Sequence, residues 1–224
     1  LEESPIIGEL SIKNADELPK FTGFDRCLYA SGGARVEGAE LTATLIEASG
    51  FEKLEGLVTL SSLNNETYEI NAQTFDKVIL ACGAWLGQTL EPLGFEVDVR
   101  PQKGQLRDYF FEGLDTGKLP VLMPEGELDI IPFAGGKISV GASHENDKGF
   151  DLTVDEAVLE GLEEEAKIYF PDLSTAKSFS ERVGTRAYTS DFSPFFGEVP
   201  ELKNVFVASG LGSSGLTTGP LIGK

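Results

Sequence analysis

The sequence is short of histidine, tryptophan and methionine, with one of each, and of cysteine, with two among 224 residues. A single histidine, His144, leaves little material for His-dependent triads or His-rich metal sites. Gly141-Ala142-Ser143-His144-Glu145 lacks the last glycine of a nucleophile elbow and falls at a strand end. His144 therefore reads as a surface loop residue rather than a base. Cys27 and Cys82 have no Cys or His partner at zinc spacing. They read as small apolar packing groups, make no disulfide framework, and point to a reducing cytoplasm. Cations are scarce as well: 18 Lys+Arg face 37 Asp+Glu, a net charge of −19 with pI near 4.4. Such a surface repels phosphates and sets aside nucleic-acid binding and docking to anionic membranes. Long apolar runs are missing. The longest, Val78 to Leu86, has nine residues, about half of a membrane span. Leu1-Glu2-Glu3-Ser4-Pro5 has no initiator Met and neither the basic nor the apolar stretch of a signal peptide. Gly219 to Lys224 supplies no closing element, as if the chain had been cut.

What is present points to a folded α+β chain. Hydrophobic residues make up 41% and there are 15 Phe, enough for a buried core and too many for disorder. Leu41, Leu45 and Ile46 recur at helical spacing between Gly38 and Ser49, with Gly50 as a stop. Leu57–Leu60 and Tyr68–Ile70 read as strands around the turn signal Asn64-Asn65. Lys77–Ala81 is a continuous apolar strand of the kind covered on both faces, Gly83 breaks it, and Trp85–Leu93 reads as a short helix. From Val97 to Ser143 the pattern is several antiparallel strands. Leu128–Phe133 and Lys137–Val140 flank Ala134-Gly135-Gly136, a hairpin signal, and Pro132 favours an edge or a bulge. That hairpin reading also sets aside Gly135-Gly136-Lys137 as a phosphate loop. Thr153-Val154-Asp155-Glu156 is a capping box for a helix that ends before Pro171, with Val154, Val158 and Leu162 as its inner stripe. Glu163, Glu164 and Glu165 read as its solvated face. Strands near Arg182–Tyr188 and Asn204–Ala208 lead into a glycine-rich tail.

Gly210-Leu211-Gly212-Ser213-Ser214-Gly215 fits G-x-G-x-x-G after an apolar strand, yet no second strand and no ribose-binding acid follow it. As the primary nucleotide fingerprint it fails; as a loop that brings bare amides close to a ligand it stands. Phe75-Asp76-Lys77-Val78-Ile79-Leu80-Ala81-Cys82-Gly83-Ala84-Trp85 resembles a strand of the flavin-dependent amine oxidoreductases, the superfamily of D-amino acid oxidase, glycine oxidase, sarcosine oxidase and D-amino acid dehydrogenase. Four more segments resemble that family in the same order. They are Gly33–Gly38, leading into a helix; Leu54–Leu60, a strand bordering adenine; Arg100-Pro101-Gln102-Lys103-Gly104-Gln105, beside the flavin ring; and Gly184–Gly197 with Gly210–Pro220.

The resemblance implies an FAD-dependent enzyme that oxidises the C–N bond of an amino acid, a D-amino acid or a related amine, by hydride transfer from its α-carbon to flavin N5. The implied fold is a large antiparallel substrate-domain sheet with helices, plus part of an FAD-binding α/β domain. Residues 1–95 would carry partial FAD-binding segments and the approach to the substrate domain, 96–185 the antiparallel substrate-binding domain, and 186–224 the return to the FAD-binding domain. Nothing before Gly32 resembles the family's ADP-gripping unit, so the resemblance implies an internal piece of a longer flavoprotein, expected to hold no FAD by itself. A cysteine that attaches the flavin in the sarcosine oxidase branch is replaced by Arg186, which implies noncovalent FAD.

Arg186 is the carboxylate ligand that the resemblance implies, and a planar two-pronged guanidinium suits that task; the alternative is an ion pair with one of the many acids. Tyr188 either hydrogen-bonds the substrate or caps a strand. For FAD the implied residues are Val58 (adenine, through its backbone, with a core side chain), Gly83 and Ala84 (ribityl–pyrophosphate) with Ala81 and Trp85 also cofactor-binding, and Gly104 and Gln105 (isoalloxazine edge). Gly212, Ser213, Gly215, Leu216 and Thr217 would face the pyrimidine end, and Gly210 is implied as cofactor-binding beside them. Trp85 would equally suit a core anchor, and Gly104 a bulge. Ser213 stands where glycine oxidase-like members place a second arginine, which points toward a substrate larger or less polar than glycine. Asp191 is expected to brace the turn before Pro194. No side chain is assigned as a base and no metal is expected. A sarcosine-type or glycerol-phosphate-type oxidoreductase is the alternative enzyme, and a non-catalytic domain of the same fold the alternative of another class.

Overall fold

The computed structural model describes residues 8–64 and 66–224; the Leu1–Pro5 segment and Asn65 of the expected turn lie outside them. In chain order the elements are β1 (Leu10–Asn14), β2 (Arg26–Ala30), α1 (Gly38–Ser49), β3 (Leu60–Asn64), β4 (Thr67–Ile70), β5 (Gln73–Phe75) and β6 (Val78–Leu80). There follow α2 (Leu86–Leu90), β7 (Arg100–Phe110), β8 (Asp129–Pro132), β9 (Lys137–Gly141), α3 (Glu156–Tyr169), β10 (Lys177–Tyr188), β11 (Phe195–Glu198), β12 (Val205–Ser209) and α4 (Gly215–Ile222). The chain divides into two compact units, Leu1–Glu37 with Gly104–His144 and Leu152–Gly184, and Gly38–Lys103 with Glu145–Asp151 and Thr185–Lys224. Among the described residues no helix is long and apolar enough to cross a membrane.

The first unit is built on an antiparallel sheet in the order β10-β7-β9-β8. Tyr109, Ile130, Ile138 and Val140 point to one face and pack with Leu128, Ala166, Phe170 and Leu173 beneath α3. Pro132 sits on the edge strand β8, where its missing N–H costs no ladder bond. The opposite face carries Asp108, whose carboxylate accepts from Ser139, Ser180 and Arg182, with Lys137 3.6 Å away. Burial pushes that carboxyl up, and the hydrogen bonds from Ser139, Arg182 and Ser180 outweigh it, leaving the group below its usual range.

The β8–β9 connection is the hairpin that the glycines promise. Gly136 has φ +88°, its N–H donates to Thr116 Oγ1 (2.9 Å), and a Cβ there would stand 2.4 Å from Phe111 O. That neighbour is backbone and cannot swing away. Gly136→Ala is expected to destabilise the unit by about 2–3 kcal/mol through combined strain and clash; a urea midpoint equal to wild type would refute the argument.

α3 starts later than its capping-box signature predicts, at Glu156. Gln105 Oε1 accepts the Asp155 N–H at 2.7 Å, and Asp155 keeps an extended backbone, so the first turn forms beyond it. The later start turns Leu159 and Ala166 inward, with Leu162 half-buried, whereas Val154 is exposed. Glu163 is not a solvated residue: it accepts from Tyr109 Oη at 2.7 Å and pairs with Lys167 (2.9 Å) and Arg107 (3.5 Å).

The second unit holds two three-stranded sheets, β11-β12-β6 and β3-β4-β5. β12 and β6 are parallel, with Val205 opposite Val78, and β11 pairs with β12 antiparallel. Val78, Leu80, Val205 and Val207 pack with Tyr68, Leu86 and Leu90 into its core. β6 is an edge strand, and Ile79 is 74% exposed; the expectation of a strand covered on both faces fails for that residue. The strand expected from Leu57 begins only at Leu60. Before it, the Asn71 side chain takes the Thr59 N–H and donates to Leu57 O, replacing a ladder partner. Val58 is accordingly 54% exposed, which overturns its expected place in the core.

Candidate active site

Parallel strands end on the same side, and open α/β sheets bind ligands beyond those carboxyl ends. β6 runs through Ala81 into Gly83 (φ +56°), which opens a 3-10 turn over Gly83–Trp85. β12 runs into Gly210 (φ +75°) and Gly212 (φ +54°), then a 3-10 turn over Gly212–Ser214 and α4 from Gly215. Ser209, 1% exposed, ties the two ends together by donating its hydroxyl to Gly83 O at 2.9 Å. The G-x-G-x-x-G stretch is therefore a strand–turn–helix connection beside a second glycine turn.

At Gly83 and Gly212 nothing lies within 4 Å of where a Cβ would be, so both turns present bare backbone. The N-cap of α4, Ser214, makes no side-chain cap bond; its hydroxyl donates to Leu211 O at 2.8 Å instead. First-turn amides of a helix have no intrahelical acceptor and attract negative charge. Two bare glycine turns, one opening an uncapped helix, fit a ligand with a flat ring and an anionic linker, which is the chemistry of FAD.

Gly210 is placed by contact. A Cβ there would meet Thr189 Cγ2 at 2.8 Å, so the glycine loop lies against the turn that follows β10. Arg186 and Tyr188 end that strand on one face, by its two-residue alternation, and both are partly buried. Tyr188 has the Phe192 ring 6.2 Å away. The turn is braced as expected: Asp191 Oδ1 accepts the Ser193 N–H (3.0 Å) and lies 2.9 Å from the Thr189 hydroxyl, and those two contacts hold the Asp191 carboxyl below its ordinary range. Asp98 accepts from both the hydroxyl and the N–H of Ser190, and these bonds, with Arg100 next to it, lower its pKa as well.

Ala84 is 5% exposed, whereas Trp85 is half-exposed and stacks on Phe150 at 4.8 Å, so it is no core anchor. Ser213, Leu216 and Thr217 are exposed, and Leu216 lies under the start of α1 at Gly38. Val58 lies in the segment before β3. Gly104 and Gln105 belong to the first unit. There the Gln105 side chain is fully buried and holds Asp155, and its backbone exchanges hydrogen bonds with Ser143. Lys103, just before them, is 1% exposed and pairs with Asp151 at 3.8 Å, a buried charge that needs such a partner.

Three organising residues escape a sequence reading. Ser209 bonds Gly83 from 126 positions away, the Thr189 methyl seats the loop at Gly210, and Asp98 acts across 92 positions on Ser190. Only Thr189 carried a signal, since it falls inside the segment that resembles the amine oxidoreductases.

The chain is 35% identical to the uncharacterized oxidoreductase YurR of Bacillus subtilis, covering 99% of this chain and 63% of that protein. It is 30% identical to glycine oxidase of Pseudomonas aeruginosa, covering 88% and 56%. The crystal structure of iminodiacetate oxidase from Chelativorans sp. BNC1 superposes with a TM-score of 0.92 at 30% identity, over 99% of this chain and 63% of that one. The chain thus spans about six-tenths of the length of these relatives. Residues 6–224 match the family described as FAD dependent oxidoreductase, and with that match and the strand–glycine–helix geometry above, the chain belongs to that family.

Proposed function

We propose that the full-length protein oxidises the C–N bond of an amino acid with FAD as its cofactor, and that Arg186 seats the substrate carboxylate. The observation that carries this reading is the pairing of two bare glycine turns at the ends of β6 and β12, against the turn that follows Arg186 and Tyr188. Glycine and iminodiacetate, the compounds in the relatives' names, share a carboxylate one carbon from an amine nitrogen. That unit is the proposed substrate class.

In this reading Gly83 and Ala84 border the ribityl–pyrophosphate, with Ala81 and Trp85 also on the cofactor side, and the Val58 backbone borders the adenine. Gly210, Gly212, Ser213, Gly215, Leu216 and Thr217 take the pyrimidine end, where the first-turn amides of α4 favour negative charge. Bound there, FAD supplies the two-electron acceptor for the oxidation. Arg186 orients the substrate through a bidentate carboxylate contact and, being an arginine rather than a cysteine, leaves the cofactor noncovalent. Tyr188 offers a hydroxyl to the substrate from the same strand face. A neutral amine asks no side chain to remove its proton.

The test is spectroscopic. Full-length protein reconstituted with FAD is expected to be yellow and to bleach anaerobically with an amino acid bearing this unit. A protein that stays colourless after reconstitution overturns the reading.

A further inference from the structure

Away from the glycine turns, the first unit contains a hollow of about 820 Å³ between β2 and the 117–125 segment, within the size range of small-molecule sites. Its lining inverts the charge balance of the protein. The whole chain has 37 acids for 18 cations, yet the hollow is lined by Arg26, Arg35 and Lys118 against one carboxylate, Glu125. Lys118 is engaged by Asp115 at 3.2 Å. Arg35 is different. Its guanidinium is partly buried and donates to two main-chain carbonyls, Nη1 to Leu119 O (3.1 Å) and Nη2 to Gly117 O (2.6 Å). No carboxylate pairs with it among the described residues. A guanidinium has five N–H donors, so three have no partner among the described residues while the carbonyls fix its plane.

The lining also includes the aromatic residues Phe24, Tyr29 and Tyr169 and the aliphatic Leu119, Val121 and Leu122. An arginine positioned beside an aromatic and aliphatic wall, with no carboxylate partner among the described residues, suits an amphipathic anion. From this geometry we infer that the hollow binds a small monocarboxylate, its carboxylate on Arg35 with Arg26 at the rim and its hydrocarbon body against the wall. The carboxylate is the favoured headgroup because a planar fork matches a planar guanidinium. This inference stands apart from the proposed oxidation and needs neither FAD nor Arg186.

Cys27 lines the same hollow and gives a local readout. In the full-length protein, the rate of alkylation of Cys27 by iodoacetamide is followed by mass spectrometry with hexanoate present, and with hexanol as the neutral comparator. Hexanoate is expected to slow Cys27 alkylation at least ~5-fold at saturation, with hexanol giving half-protection only at a concentration ~10-fold or more higher. Arg35→Gln and Arg26→Gln are each expected to weaken protection about 10-fold, the loss of a charge-assisted contact. Because Arg35 also holds the 117–119 segment, Arg26→Gln and the hexanoate–hexanol comparison test the idea without disturbing that brace. Protection must also persist in Arg186→Leu. Equal protection by hexanol, no protection by hexanoate, or protection lost with Arg186→Leu overturns the inference.

Discussion

Replacing Arg186 by leucine in the full-length protein is expected to raise KM for an amino acid substrate at least ~10-fold while changing kcat much less. The expectation follows from what a guanidinium does to a carboxylate. Two parallel N–H···O contacts to a charged acceptor are each worth about 1.5–3 kcal/mol, less the return of the carboxylate to water. Losing the pair therefore leaves roughly a 10–100-fold deficit in substrate binding. In the proposed mode the contact would be present before and during the reaction alike, acting as uniform binding, so its loss is expected to fall on KM. A lysine at this position keeps the charge but not the fork and should recover only part of the loss. A further arm separates carboxylate binding from general damage. A primary amine without a carboxylate is expected to be a poor substrate for wild type, and Arg186→Leu should leave its residual turnover unchanged. Kinetics indistinguishable from wild type on the amino acid would remove Arg186 from the site. Flavin content that falls in step with activity would instead assign it to the cofactor side.

How much of this was readable beforehand depends on the range over which each feature is decided. The β8–β9 hairpin was legible because its glycine turn and apolar alternation are local, and so was the edge position of Pro132. α1 follows its helical spacing and stops at Gly50, φ +67°. Thr189 and Asp191 brace a turn within five residues of sequence, and the reading of Asp191 needed nothing from elsewhere. The start of α3 was misread because its capping signature competes with Gln105, 50 positions away, for the Asp155 N–H. Val58 was misplaced for a similar reason: Asn71 satisfies the backbone on either side of it and removes the need for a strand. At the candidate site, the two glycine turns were visible as motifs. Their adjacency was not, since it rests on β6 and β12 pairing across more than a hundred residues and on one serine hydroxyl.

The polar core of the first unit, invisible as a pattern, should govern its stability. Arg107 on β7 is only 7% exposed in its side chain and meets Glu156 and Glu163 of α3 and Glu181 of β10, the last at 3.3 Å. Burial works against its charge, but the bonds to Glu156 and Tyr109 prevail and keep it above its already high range. Arg107→Ala would leave Glu163 in a half-buried site with Lys167 and Tyr109 as its remaining support. Breaking a fully buried ion pair costs about 3–5 kcal/mol. Because Glu156 is 61% exposed and regains water, the expected loss is nearer 2–3 kcal/mol. Amide exchange across residues 156–169 in the full-length protein should therefore accelerate by roughly 30–100-fold if α3 opens as a unit. The acid side carries the same signature. Burial raises the Glu163 carboxyl, yet the Lys167 and Tyr109 hydrogen bonds and the charge of Arg107 bring it below its usual value. A lowered carboxylate contributes stability that is complete above its unfolded pKa, about 4.3, and is lost as pH falls through the folded value. Without Arg107 that folded value rises toward 4.3, so the acid loss of α3 begins at higher pH. Arg107→Met/Glu163→Gln should recover part of the deficit by removing both charges. An Arg107→Ala protein with wild-type exchange in α3 would show that the cluster merely decorates a helix already held by Leu159, Ala166 and Phe170.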